Sequence, residues 1–293
     1  MVETLKPKET SFEYGKAHQE LMLDKYRKSK IVSESNTQYL RVVLAHELVN
    51  KYVLPRLKSK LPSEITLVDV GCSVGLFAIE FAKNGYKSFG VDFDPAALEI
   101  AKRLNLEEGT NATFSRMDAS DWNLNLSIDI ALCFDLFEHL HDDELGALLY
   151  GIKNRLSQQG CLVFHTLPLQ YDYLFWNEAT GIIKFPALLR LFKNISTKSF
   201  SRMVAIYALC LDVLNLCRGR TVYKETIKKS GHCNPLTRER LEDILCRSGY
   251  EIIFIESGFL GQVQLDPRDR EFFHKQPVTH RSLRGVAVPK RSK

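Results

Sequence analysis

The segment FDLFEHLHDDE (134–144) gathers residue types that can take a proton from a hydroxyl or hold a cation. Asp135, Glu138 and His139 are spaced i, i+3, i+4, and on a helix those positions share one face. Two carboxylates and an imidazole on one face could bind a divalent cation such as Mg2+, which would acidify an acceptor hydroxyl. The alternative is that the carboxylates touch the neighbouring loop and helix start while His139 packs or caps. His165 lies inside a strand-like run, where a lone histidine is more often a core residue with its hydrogen bonds met. His232, in SGHCNPLT, stands just before a late helix.

A second group lies upstream, in VDVGCSVGLF (68–77). A strand ending in Asp69, then Gly71-x-Ser73-x-Gly75, then a helix, is a ligand-binding geometry, because ligands sit at the carboxyl ends of parallel strands. Glycine lets backbone approach a ligand without a Cβ clash, although a tight strand-to-helix turn needs glycine in any case. Asp92, in FGVDFDP, closes the next strand and is placed to accept from two ribose hydroxyls. Asp118, in RMDASDW, follows the third strand and can accept from an adenine exocyclic amine, with the backbone of Ala119 beside it. The dinucleotide fingerprint G-x-G-x-x-G does not fit, since no glycine occupies position 76 or 78.

These residues need a scaffold that brings strand ends together, and the sequence pattern supplies one. Strand signals at 65–70, 86–92, 112–117, 127–134 and 161–167 alternate with helix signals at 75–85, 94–104 and 142–156. Asp94 and Pro95 read as N-cap and first helical residue. That alternation predicts an α/β fold, a doubly wound, mostly parallel sheet with helices on both faces. Helical spacing at 36–60 predicts a helix before the sheet. After Pro168 the alternation breaks for about sixty residues, then resumes with a helix at 235–249, N-capped by Thr237, and strands at 250–258 and 283–290.

The order VDVGCSVGLF, GVDFDPAALEIAKR, RMDASDW, DIALCFDLFEHL and GCLVFHTLP resembles the class I S-adenosylmethionine-dependent methyltransferases, strongly over 64–168 and more weakly over 232–289. The acidic-x-x-Glu-His stretch is nearest in style to ubiquinone-biosynthesis-type O-methyltransferases. Ser73 stands where the family's first motif has its middle glycine, and a small residue still leaves room for a ligand. The resemblance implies a Rossmann-like sheet of seven strands, the last antiparallel, with a helical insertion. It implies S-adenosyl-L-methionine bound by Asp69, Gly71, Ser73, Gly75, Asp92, Phe93, Asp118, Ala119 and Phe134. Of these, Asp69 and Gly71 would lie near the methionine end, Asp92 near the ribose and Asp118 near the adenine. Acceptor and donor methyl should meet where Phe134 and Asp135 follow the fourth strand. The loop of His232 would lie beside the active site, which makes His139 and His232 the catalytic candidates and Asp135, Glu138 and His139 the cation candidates.

The expected organisation is an N-terminal helical cap (1–63), a cofactor-binding core (64–168), a basic helical insertion (169–230) and the remainder of the sheet (231–293). The cap helices and the insertion should close over the site. The net charge of +5 is unevenly spread: residues 65–183 carry −10 and residues 184–229 carry +8. In the basic block, cations such as Arg190 and Lys193 interleave with apolar residues such as Phe185, Leu188, Leu189, Leu191 and Phe192. The block reads either as a lid that shapes the acceptor pocket or as an interfacial element that touches an anionic membrane to reach a lipid-like acceptor. The N-terminal residues have no apolar core of the secretory kind, and no run of about 18 apolar residues predicts a spanning helix. Seven cysteines without a CxxC pair fit a reducing cytoplasm. The predicted acceptor is a small or lipid-linked molecule methylated at oxygen. The rivals are an RNA or protein acceptor, against which the lack of an RNA-stacking pattern counts, a non-catalytic cofactor-binding module, and an NAD-dependent oxidoreductase.

Overall fold

A computed structural model describes residues 15–58, 60–119, 121–176, 195–217, 231–260 and 267–290. Seven strands form one sheet: β1 (Thr66–Val70), β2 (Lys87–Asp92), β3 (Thr113–Arg116), β4 (Ile128–Phe134), β5 (Leu156–Thr166), β6 (Tyr250–Gly258) and β7 (Ser282–Pro289). Their spatial order is β3-β2-β1-β4-β5-β7-β6. Strands β1 to β5 run parallel, and β7 is antiparallel to both β5 and β6. The order reverses between β1 and β4, which is the switch point where doubly wound sheets take ligands.

Strand β4 shows why the sheet is central. All seven of its residues are buried, and alternate ones face opposite sides. Ile130, Leu132 and Phe134 join a core with Leu44, Leu48, Phe77 and Phe81. Ala131 and Cys133 join a second core with Leu145, Leu149, Leu241 and Leu245. The helices that supply those residues are α2 (Thr37–Leu48) and α3 (Leu76–Lys83) on one face, and α5 (Asp142–Lys153) and α8 (Arg238–Arg247) on the other. Helix α4 (Pro95–Glu107) begins at its predicted cap, with Asp94 Oδ1 accepting from Ala96 N at 2.9 Å. Helix α8 likewise begins where Thr237 Oγ1 accepts from Arg240 N at 3.2 Å.

The predicted helix over 36–60 is shorter than its periodicity suggested. It ends at Leu48 and loosens into a π-type turn over Val49–Val53, before Pro55. A further helix, α1 (Lys16–Ser29), packs against α2. Asn36 joins the two: its Oδ1 caps α2, and its Nδ2 donates to Lys28 O and Ile31 O at 2.6 and 2.7 Å. Glu108 fastens α1 to the core. It accepts from Tyr26 Oη at 2.7 Å and pairs with Lys30 at 3.2 Å and with Lys83.

In the insertion, α6 (Asp172–Trp176) and α7 (Thr197–Cys217) are described; Phe185, Leu188, Leu189, Arg190, Leu191, Phe192 and Lys193 lie outside the described residues. Phe200 and Val204 of α7 pack on Phe273 of α9 (Pro267–Lys275), with Leu174 and Phe175 of α6 alongside. No helix among the described residues is long and apolar enough to cross a membrane.

Candidate functional site

A cavity of about 740 Å³ opens at the carboxyl ends of β1, β2 and β4. The strand ends and the loops after them form its floor. The opposite wall is the α1–α2 hairpin, through His18, Leu21, Met22, Lys25, Tyr26, Gln38 and Arg41. No described residue of α7 lines it, so the covering role expected of both the cap and the insertion falls, among the described residues, to the cap.

At one end lies the glycine turn. Gly71, Ser73 and Gly75 all have positive φ, at 73°, 47° and 82°. Ser73 therefore adopts the left-handed backbone that its glycine counterpart would reach without strain, so the substitution costs conformation rather than space. Gly75 is required by packing as well as by φ. A Cβ there would come within 2.8 Å of the Phe114 ring and 3.0 Å of Ala101. Gly71, Ser73, Asp92, Phe93, Asp118, Ala119 and Phe134 all line the cavity. Asp92 is nearly buried and braces the turn: Oδ2 accepts from Ser73 N at 2.7 Å, and Oδ1 from Asp94 N at 2.9 Å. Burial pushes its carboxyl above the usual range, against the pull of those N–H groups.

Asp69 does not belong with them. It is 2% exposed and lies outside the cavity lining, and its Oδ2 accepts from Ala78 N at 3.2 Å. Ala78 is in the first turn of α3, whose N-cap, Gly75, has no side chain to offer. Asp69 supplies the missing acceptor from the strand below. Burial raises its carboxyl to about 7. Of the three strand-end aspartates expected to converge, Asp92 and Asp118 line the cavity and Asp69 lies beneath it.

At the other end, the helical face expected for Asp135, Glu138 and His139 is absent. Phe137–His139 is a single 3₁₀ turn, and Asp135 precedes it with φ 54°. Asp135 turns back toward β5: its N–H donates to His165 O at 2.8 Å, and its Oδ1 accepts from His165 Nδ1 at 2.7 Å. Arg41 Nε lies 3.0 Å from Oδ2, but its N–H is not aimed at that oxygen, so the contact is an ion pair rather than a hydrogen bond. Burial acts to raise the Asp135 carboxyl, yet Arg41 and His165 outweigh it and hold the group well below the ordinary carboxylate range. Glu138 is 1% exposed and accepts from Thr166 Oγ1 at 2.7 Å. Burial, then Asp135, pushes it up to about 8.

His139 and His232 come together across the chain, with ring centroids 4.9 Å apart. His139 Nδ1 is 3.2 Å from Gly231 O. A carbonyl only accepts, so Nδ1 carries the hydrogen and Nε2 keeps its lone pair. Burial lowers the pKa of His139, and burial, then His139, lowers that of His232 to about 4. Both rings are neutral at neutral pH.

The residues present do not fit the expected cation. Both Asp135 oxygens are engaged by His165 and Arg41. Glu138, His139 and His232 do bring donor atoms within 4.8 Å of one another. Yet Glu138 already accepts from Thr166, and Lys25 and Arg41 line the same cavity. A divalent cation would meet positive charge there.

The sequence reading missed three participants. Arg41 sits in a helix read only from its apolar spacing, Lys25 in one the sequence reading did not delimit, and nothing local marks either as a cavity residue. His165 reads as a core histidine; it is fully buried, but its partner is Asp135 of the site. The one available signal was pairing by register, since His165 lies beside Phe134 in the adjacent strand.

Comparison with known proteins agrees with this geometry. Residues 44–254 match a family described as a methyltransferase domain. The chain is 33% identical over 82 residues to a ubiquinone biosynthesis O-methyltransferase of Saccharophagus degradans, covering 27% of this chain and 35% of that protein. It is 28% identical over 116 residues to the protein of the same description from Nitrosomonas europaea, covering 38% and 48%. The chain thus spans less than half the length of these curated relatives. In fold, it is similar to magnesium protoporphyrin IX methyltransferase from Synechocystis PCC 6803, solved with bound SAH, with a TM-score of 0.53 and 15% identity over 93% of this chain and 96% of that one. It is also similar to an S-adenosylmethionine-dependent methyltransferase from Clostridium acetobutylicum, with a TM-score of 0.54 and 9% identity over 94% and 99%.

Proposed function

Because the chain belongs to the methyltransferase-domain family of S-adenosylmethionine-dependent enzymes, we propose that it methylates a hydroxyl oxygen of a small-molecule or lipid-linked acceptor. The observation that carries this reading is the single cavity that joins the Asp92–Asp118 end to the His139–His232 end. When bound, S-adenosylmethionine supplies a sulfonium methyl, displaced in line with release of a neutral thioether. Asp92 would accept from the ribose hydroxyls, Asp118 would face the adenine, and Phe134 would close the floor between donor and acceptor. The Gly71–Gly75 turn would carry the methionine portion.

His139 would take the acceptor proton on Nε2 as the oxygen–carbon bond forms. Its Gly231 contact orients the ring, and its burial keeps it neutral and ready to accept. His232 packs against it and would contact the acceptor. The α1–α2 wall would exclude water from the reacting atoms. Glu138, held neutral, would hold Thr166 rather than a cation, and no divalent ion takes part in this account.

The curated relatives' name, ubiquinone biosynthesis O-methyltransferase, supports methylation at oxygen. The exposed stripe Ile206, Leu209, Val213 and Leu214 on α7 supports a lipid-linked acceptor met at an anionic membrane surface, since these residues recur at helical spacing. The free state of all seven cysteines is consistent with a reducing compartment such as the cytoplasm.

The test is incubation with methyl-labelled cofactor and separate lipid, small-molecule, protein and RNA fractions, with and without a chelator. Label is expected in the lipid or small-molecule fraction, with and without chelator, and is expected to vanish in His139→Gln while that variant still binds S-adenosylhomocysteine. Label confined to RNA or protein, or undiminished in His139→Gln, would overturn the reading.

A further inference from the structure

Lys25 stands apart among the charged residues of the cavity. It lies on α1 and lines the wall opposite the strand ends. Its Nζ has one contact, the Met22 sulfur one turn back on the same helix, at 4.0 Å. Its neighbours on that helix are served differently: Lys28 pairs with Asp24 at 2.6 Å, and Lys30 with Glu108 at 3.2 Å. Lys25 has no carboxylate within ion-pair distance among the described residues.

Carboxylates do lie in the neighbourhood, and they are already engaged. Asp135 gives one oxygen to His165 and the other to Arg41, and Glu138 accepts from Thr166. Arg41 adds a second cation to the same end. The desolvation of Lys25, followed by the charge of Arg41, pulls its pKa down against the pull of Asp135 and Glu138, as expected for a half-buried ammonium that no described carboxylate contacts. The groups whose charges reach Lys25 are Arg41, Asp135, Glu138, His18, His139 and His232. All but His18, which also feels Asp94, belong to the acceptor end, and neither Asp92 nor Asp118 is among them. The donor would bring a sulfonium, and so a further positive charge, to the middle of the cavity.

We propose that Lys25 is a specificity-determining residue that pairs with an anionic oxygen of the acceptor, either a carboxylate on its ring or its ionised hydroxyl. This rests on the small-molecule methyltransferase reading above and names the chemistry its acceptor must carry. An acceptor without that charge leaves Lys25 half-buried with no described carboxylate in ion-pair reach. One that has it exchanges a strained ammonium for a charge-assisted contact. If the anion is the hydroxyl itself, Lys25 also stabilises the negative charge that develops on the attacking oxygen as its proton passes to His139 Nε2.

The test is calorimetric titration of the full chain saturated with S-adenosylhomocysteine. Three probes are used: 3,4-dihydroxybenzoate, which carries a ring carboxylate; 4-nitrocatechol, whose hydroxyl ionises near neutral pH; and 3,4-dihydroxybenzyl alcohol, which is neutral. The wild type is expected to bind at least one anionic probe ~10-fold or more tighter than the alcohol. Lys25→Met should bring that ratio near one, Lys25→Arg should preserve it, and S-adenosylhomocysteine affinity should stay the same in all three proteins. Preference for the benzoate assigns the anion to a carboxylate, and preference for the nitrocatechol assigns it to the ionised hydroxyl. A wild type that binds S-adenosylhomocysteine but shows no anion preference, or binds none of the probes, overturns this inference alone. So does a preference that survives in Lys25→Met, or a loss of S-adenosylhomocysteine affinity in that variant, which would give Lys25 to the cofactor. A wild type that binds no S-adenosylhomocysteine removes the methyltransferase reading, and this one with it.

Discussion

Asp135 and His165 meet at 2.7 Å across the ends of two adjacent strands, while Arg41 approaches Asp135 from the α1–α2 hairpin. One carboxylate thus ties the sheet to the wall of the cavity. Asn tolerates the left-handed φ of this position, so Asp135→Asn removes charge without disturbing backbone. It leaves Arg41 without its counter-ion at a partly buried site, at a cost of roughly 1–3 kcal/mol. The expected outcome is faster proteolytic cleavage within residues 16–48 and a fall in turnover of ~10-fold or more. Unchanged cleavage and unchanged turnover would refute the tie.

The two buried aspartates of the glycine turn should separate in their effects. Asp92 lines the cavity and braces Ser73 N; Asp69 lies beneath α3 and serves Ala78 N. Asp92→Ala is expected to weaken S-adenosylhomocysteine binding by ~10-fold or more. Asp69→Ala is expected to lower stability by ~1–2 kcal/mol, as loss of a cap does, with a much smaller change in affinity. Binding titrations beside thermal melts check both. Equal losses of affinity would mean that Asp69 reaches the ligand after all.

Ser73 has φ 47° where glycine would be at ease. Ser73→Gly should therefore be neutral or stabilising by up to ~1 kcal/mol, with the relief of strain partly offset by the freer unfolded chain. Ser73→Val should destabilise by at least ~1 kcal/mol, because a β-branched residue resists that backbone. Chemical denaturation of the three proteins checks the order; wild-type stability in Ser73→Val would contradict it.

Glu138 predicts a pH dependence of stability. Its folded pKa, about 8, lies above the ordinary 4.5. The folded state therefore binds more protons than the unfolded state between those values, and this group's contribution to stability falls as pH rises through that window. Gln cannot ionise and can still accept from Thr166. Glu138→Gln should melt higher relative to wild type at pH 8 than at pH 5. A difference that is flat or reversed across that range would show that Glu138 is ionised in the folded protein at neutral pH.

The alternating pattern was enough to read the sheet, because strands β1, β4 and β5 are apolar runs ended by turn residues, and the caps at Asp94 and Thr237 are local chemistry. The positions of Asp92 and Asp118 followed for the same reason, since a strand end has a fixed place in such a sheet. What escaped the sequence depends on contacts between distant segments. Asp69 lies in a strand like Asp92 but one layer deeper, where it serves an α3 N-terminus that lacks its own cap. Asp135, Glu138 and His139 have helical spacing, yet the positive φ at Asp135 breaks the helix before it starts. Lys25 and Arg41 reach the cavity only because Asn36 folds α1 back on α2, and no local pattern announces that.

The fastening of Tyr26, Lys30 and Lys83 to Glu108 makes the first helix part of the chamber rather than a leading arm. A chain trimmed to start at Asn36 would retain all seven strands and look intact to any probe of β content. It would nonetheless hold its ligands on an open shelf.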